Sequence, residues 1–196
     1  SNQSVHDRHV FIMQHNVMER GELSRRELQD LRNKRTGVTI FQLSWMLVFV
    51  CLILVNLFVR SNFVSWPPPG VERLSPWLPT AATVGLIASV WFTRNGRKAI
   101  EAGRRDQLEF NWRIVLGLGL FFILAMLLEW MSVPPSGQYS TLFKVMTAFH
   151  GIHALVIGAI LLNVYRNVEN YDAVHHWAVE AAAKLWYFVV VAWLLF

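Results

Sequence analysis

From position 36 to position 59 the chain carries no charged side chain, and that run constrains the fold more than any other feature of the sequence. A helix rises about 1.5 Å per residue, so about 20 apolar residues are enough to cross the roughly 30 Å of hydrocarbon in a bilayer. Five runs approach that length, at 37–59, 74–93, 114–131, 145–165 and 177–196. The composition agrees: 54% of the 196 residues are hydrophobic and 16% charged, against about 25% charged in an ordinary soluble domain. The predicted fold class is therefore all-α, an integral membrane bundle of five transmembrane helices, with a soluble enzyme fold excluded. Nine tryptophans and thirteen phenylalanines fit the same surroundings, because amphipathic rings collect at bilayer interfaces.

The basic residues predict an orientation. Arg8, Arg20, Arg25, Arg26, Arg32, Lys34 and Arg35 precede the first run, and Arg94, Arg97, Lys98, Arg104 and Arg105 lie between the second and third. The segment after the first run offers Arg60 and Arg73, and the one after the third only Lys144. The positive-inside rule then places the N-terminus in the cytoplasm and, after five crossings, the C-terminus outside. On this reading the net charge of +5 reports topology and attraction to anionic lipid, and no nucleic-acid partner is expected. Residues 1–36 read as a polar cytoplasmic arm and 37–196 as the membrane domain. Ser24 and Glu27 have capping-box spacing, which predicts a short helix over 25–34. Pro76 and Pro79 suit a helix's first turn, and 66–70 and 134–137 read as turns. No cleavable signal peptide is expected, since the first apolar run is long and starts late. The lone Cys51 rules out an intrachain disulfide and any cysteine-rich metal site.

Ionisable groups inside a membrane are costly, so the few present are the candidate sites. They are Glu129, His150, His153, Glu180 and Lys184, with Asn56 and Asn163 as neutral companions. Glu180 and Lys184 stand four apart, the spacing of a local ion pair. Glu129 falls near the outer end of the third helix, within reach of water. His150 and His153 are three apart and face roughly one neighbour, which does not suit two axial ligands gripping one haem from opposite sides. His175 and His176 lie only where the fifth run begins, and the chain has no Glu-x-x-His of the kind that builds di-iron sites in bundles. No catalytic residue and no metal ligand is assigned. Thr147, Gly151, Ala154 and Gly158 form a strip of small residues on which another helix can approach closely. Read alone, the residues describe a helical membrane protein with a packing role. A small transporter would show broken helices or an inverted repeat, and neither is evident. A lone b-type cytochrome conflicts with the histidine geometry unless two chains share the haem.

Motifs add what spacing does not. Phe149-His150-Gly151-Ile152-His153, with Gly158 beyond it, resembles the Phe-His-Gly-x-His motif of subunit III of the haem-copper cytochrome c oxidases. Val179-Glu180-Ala181-Ala182-Ala183 is similar to that family's Phe-Glu-Ala-Ala-Ala, Trp66-Pro67-Pro68-Pro69-Gly70 to its Trp-Pro-Pro loop, and Glu129-Trp130 to its Glu-Tyr pair. Order and spacing agree from about residue 37 to the end, as in the short five-helix bacterial form. The resemblance implies an accessory subunit with no cofactor of its own, packed against catalytic subunit I and in reach of subunit II, with haem and copper held by those partners. It also implies bound phospholipid, support of proton uptake, protection of the core during turnover, and residence in the bacterial cytoplasmic membrane. The equivalent subunit of a quinol oxidase or nitric oxide reductase shares these motifs. The chain departs from the family's pattern at Trp45, which follows Ser44 where the family has a carbodiimide-reactive glutamate. Other departures are Arg97-Lys98 in place of a histidine pair, Lys184-Leu185-Trp186-Tyr187 in place of Trp-Tyr-Trp-His, and Val190 in place of an aspartate. Glu129, His150, His153 and Glu180 are accordingly assigned structural or lipid- and subunit-contacting roles.

Overall fold

The structure is a computed structural model that describes residues 25–68, 76–134 and 137–195. Among these residues the regular structure is helical: α1 (Arg25–Ser61), α2 (Trp77–Glu101), α3 (Arg105–Ser132), α4 (Gly137–Arg166), a single 3₁₀ turn (Val168–Asn170) and α5 (Trp177–Leu195). The chain divides into two compact units, Ser1–Leu43 and Ser44–Phe196.

In the first unit the described residues form the N-terminal part of α1. Thr36 and Thr39 turn their hydroxyls back onto the carbonyls of Arg32 and Arg35, at 3.0 and 2.8 Å. A separate helix over 25–34 was expected. Instead α1 runs from Arg25 to Ser61 as one element, because a lone Gly37 costs a helix only about 1 kcal/mol and the β-branched residues beside it at most about 0.7 kcal/mol each. Ser24, the expected cap, lies outside the described residues.

In the second unit α2 packs on α3 and α5, α3 on α4, and α4 on α5, closing a ring of four helices. α1 joins this ring through Phe49, its buried residue. The helices overrun the apolar stretches that predict them: α2 continues through Arg94, Arg97 and Lys98, and α3 begins at Arg105. Hydropathy marks the hydrocarbon-facing part of a helix, whereas the backbone hydrogen bonds continue into the polar flanks. α2 opens as its prolines suggest, with Pro76 at the cap and the Thr80 hydroxyl donating to the Pro76 carbonyl at 2.7 Å. It closes in a Schellman motif: Gly103 has φ +71°, its N–H donates to Ile100, and the Arg104 N–H donates to Ala99.

Four helices, α1, α3, α4 and α5, are long and apolar enough to cross a membrane. α2, the second expected crossing, has the length at 25 residues, but its threonines, serine, Pro79 and the charges at its C-terminal end lower its apolar content. Those hydroxyls are used inward. The Trp186 indole N–H donates to Ser89 Oγ at 2.8 Å, and that of Trp193 donates to Thr83 Oγ1 at 2.8 Å, tying α5 to α2. Close packing completes the core: a Cβ on Gly119 would stand 2.9 Å from the Trp186 ring, and one on Gly96 3.0 Å from that of Trp112. Outward, Leu54, Phe58, Leu120, Leu128, Leu155 and Leu194 are exposed. An apolar exterior suits the hydrocarbon of a bilayer, and hydroxyls and indoles that bond each other suit its interior.

Candidate functional site

The sequence places His150 and His153 on one face of α4, and the fold builds an aromatic box around that face. Both imidazoles are buried, with 1% and 0% of their surface exposed. Phe49 of α1 stands edge-on to both, its ring centroid 5.7 Å from His150 and 5.2 Å from His153. Phe122 of α3 and Trp193 of α5 flank His150 at 5.4 and 5.5 Å. Trp45 and Phe188 flank His153 at 4.7 and 5.3 Å. The two imidazoles lie 6.4 Å apart and do not bond each other. Neither ring nitrogen of His153 has a hydrogen-bond partner among the described residues. Edge-to-face rings at these separations are worth about 0.5–1.5 kcal/mol each beyond burial. The box therefore holds α1, α3, α4 and α5 at one level, which is chemistry of packing. Among the described residues no three His, Cys, Asp or Glu side chains group closely enough to hold a metal ion.

Glu129 departs from expectation. Although near the end of α3, the residue is only 9% exposed, and its buried Oε2 has no hydrogen-bond partner among the described residues. A buried polar group left unpaired costs on the order of several kcal/mol. The residue after it, Trp130, donates its indole N–H to the Lys144 carbonyl at 3.2 Å and lies 5.4 Å from the Lys144 ammonium, linking α3 to α4.

Glu180 and Lys184 form the ion pair that their spacing predicts, with Oε1 2.8 Å from Nζ on the rim of α5. The small-residue strip divides. Ala154 is fully buried, while a Cβ added at Gly151 or Gly158 would meet nothing within 4 Å. Thr147 Oγ1 is occupied with the Phe143 carbonyl at 2.6 Å. Within the second unit, then, the two glycines face open space. Four residues that bear on this core were not singled out in the sequence: Ser89, Thr83, Gly119 and Phe49. Serines, threonines, glycines and aromatics are common in apolar runs, and only the packing of α2 and α3 against α5 and of α1 against α4 gives these four a specific partner. A polar residue at helical spacing, Ser89 followed by Thr93, was the one signal available for α2.

Fold and site together define a multi-pass helical membrane protein whose central residues pack the helices. The family model described as Cytochrome c oxidase subunit III matches residues 11–196, and the chain belongs to that family. Proteins named cytochrome c oxidase subunit 3 are among its relatives: one from Synechocystis is 28% identical over 81% of this chain and 71% of its own length. Another, from Damaliscus lunatus, is 36% identical over 82% of this chain and 66% of its own length. One from Cyprinus carpio is 35% identical over 66% of this chain and 52% of its own length. The chain thus spans between about half and seven tenths of the relatives it matches.

Proposed function

We propose that the chain is the accessory, cofactor-free subunit III of a respiratory cytochrome c oxidase in a bacterial cytoplasmic membrane, packed against catalytic subunit I and adjoining subunit II. The observation that carries the reading is the conjunction of the family match with a site made of packing contacts: the histidines of the family-like motif sit in a closed box of rings. Haem and copper belong to the partner subunits, where oxygen is reduced. What this chain supplies is surface. The open strip at Gly151 and Gly158 lets a neighbouring helix or lipid chain approach the α4 backbone closely, and the exposed leucines and phenylalanines accept phospholipid tails. His150 and His153 act as structural residues that keep the helices in register. Glu180, ion-paired on the rim, serves contact with lipid or a neighbouring subunit. Support of proton uptake and of stability during turnover follows from that placement. Residues 1–36 form a cytoplasmic arm, and α2 is the second of five crossings.

Purification from native membranes in mild detergent tests this directly. The expected result is co-migration with a haem-bearing large subunit, with His150→Ala loosening the association and leaving the haem spectrum of the remaining core unchanged. Isolation as a colourless homo-oligomer, free of any haem-bearing partner, would overturn the reading. A changed haem spectrum in His150→Ala would overturn the structural role of that histidine.

A further inference from the structure

Beside the aromatic box lies a cavity of about 350 Å³ in the second unit, at the level where α1, α3 and α5 end and α2 and α4 begin. Its lining is apolar in part, through residues such as Met126 and Met146, but it also includes Asn56 of α1, Tyr139 and Thr147 of α4, and Glu129 of α3. Glu129 is only 9% exposed as a residue, and its buried Oε2 finds no donor or acceptor among the described residues. Trp66, in the segment after α1, meets the Tyr139 ring at a 60° tilt, 5.3 Å between centroids, and lines the same space. Hydrocarbon cannot satisfy a carboxyl, whether protonated or ionised, so whatever fills the cavity has to hydrogen-bond. Truly dry cavities are lined by apolar groups throughout, and a buried water needs two to four polar partners. Glu129, Asn56 and Tyr139 supply those partners, drawn from three helices. At about 30 Å³ per molecule the volume holds about ten waters.

We infer that this cavity is a water-binding site anchored on Glu129, a hydrated pocket near the helix ends that links α1, α3 and α4 through bound water. Glu129 is thereby a water-holding residue. The inference stands apart from the assignment to an oxidase complex, because its test reads the interior of this chain whatever partners accompany it.

The experiment is a cryo-electron microscopy structure of the full chain, in the complex and lipid of its native membrane, at a resolution that shows ordered water. The expected density is a cluster of separate peaks with one at hydrogen-bond distance from Glu129 Oε2 and others reaching Asn56 and Tyr139. Tubular density of an acyl chain against Glu129, a partner side chain donating to it, or a cavity without peaks would each overturn the inference. Xenon gives a second readout, since it enters dry apolar cavities. Native protein and Glu129→Gln are expected to take up none here, whereas Glu129→Leu gains xenon at the cavity. Xenon bound in the native cavity would overturn the proposal even if Glu129→Leu does not fold.

Discussion

At Gly119 a hydrogen atom occupies the place where any other residue would put a Cβ, 2.9 Å from the buried ring of Trp186. Gly119→Ala is expected to destabilise the protein by about 1–3 kcal/mol, the usual cost of overpacking, read as a lower thermal midpoint in detergent. Gly117, two residues away with nothing within 4 Å, is the control and should tolerate alanine. Ser89→Ala leaves the Trp186 indole N–H without its acceptor, at a cost of about 0.6–2 kcal/mol for a hydrogen bond between helices in a membrane. Outside the spans, Asp172 accepts from the backbone N–H groups of His175 and Val174 at 2.6 and 2.8 Å. Those bonds favour the carboxylate and lower its pKa from 3.8 to about 2. A depressed acid contributes its order to the α4–α5 connection above pH 3.8 and loses it as pH falls through about 2. NMR should therefore place the Asp172 titration near 2, with amide exchange at Val174 and His175 accelerating only below it. A titration at the ordinary value would show that the turn is not formed in solution.

Element ends were legible where the helix and its apolar run stop together. α5 was bounded almost to the residue, since its ends coincide with the ends of the hydrophobic run. α2 and α3 were underestimated on the side where Arg94, Arg97 and Arg105 extend them, because charge ends a hydropathy signal without ending a helix. The turn between them rests on Gly103, and Gly103→Ala should cost about 1–2 kcal/mol, the penalty for a Cβ in the left-handed region, visible as a lower thermal midpoint. α1 shows the opposite limit. Between positions 36 and 59 it has no charged side chain, so nothing in its pattern marks the side that carries Phe49. Phe49→Ala is expected to cost about 3–5 kcal/mol, whereas Leu54→Ala, on an exposed position of the same helix, should stay within about 0.5 kcal/mol. Equal effects of the two would mean that α1 does not dock through its aromatic rings.

At the scale of the whole molecule the prediction concerns sidedness. The basic residues cluster at the α2–α3 turn and in the N-terminal part of α1, which argues for a cytoplasmic location of both. In a Cys51→Ser background, a membrane-impermeant maleimide applied to intact cells should label Asn62→Cys. It should reach Ala102→Cys only after permeabilisation. The reverse pattern would invert the topology. Family membership was readable from four separated motifs because their order survives even where individual positions have changed, as at Trp45. The candidate site was half readable: the histidine pair was visible as a pair, but the box around it draws Phe49, Phe122, Phe188 and Trp193 from three other helices.

The sequence by itself determined that this chain is a helical membrane protein, about where its helices run, and which few polar groups enter the bilayer. Those are local properties, set by hydropathy over about 20 residues and by i, i+4 spacing, as the Glu180–Lys184 pair illustrates. Only the tertiary structure decided which faces meet: that Ser89 receives the Trp186 indole, that Gly119 makes room for that ring, and that Trp45 sits against His153. It also decided that Glu129, placed by the sequence near water at a helix end, is enclosed beside a cavity. The physical reason is that inside a bilayer nearly every residue is apolar, so the contrast that marks a buried face in water is missing. Shape and hydrogen bonding between distant segments then choose the contacts.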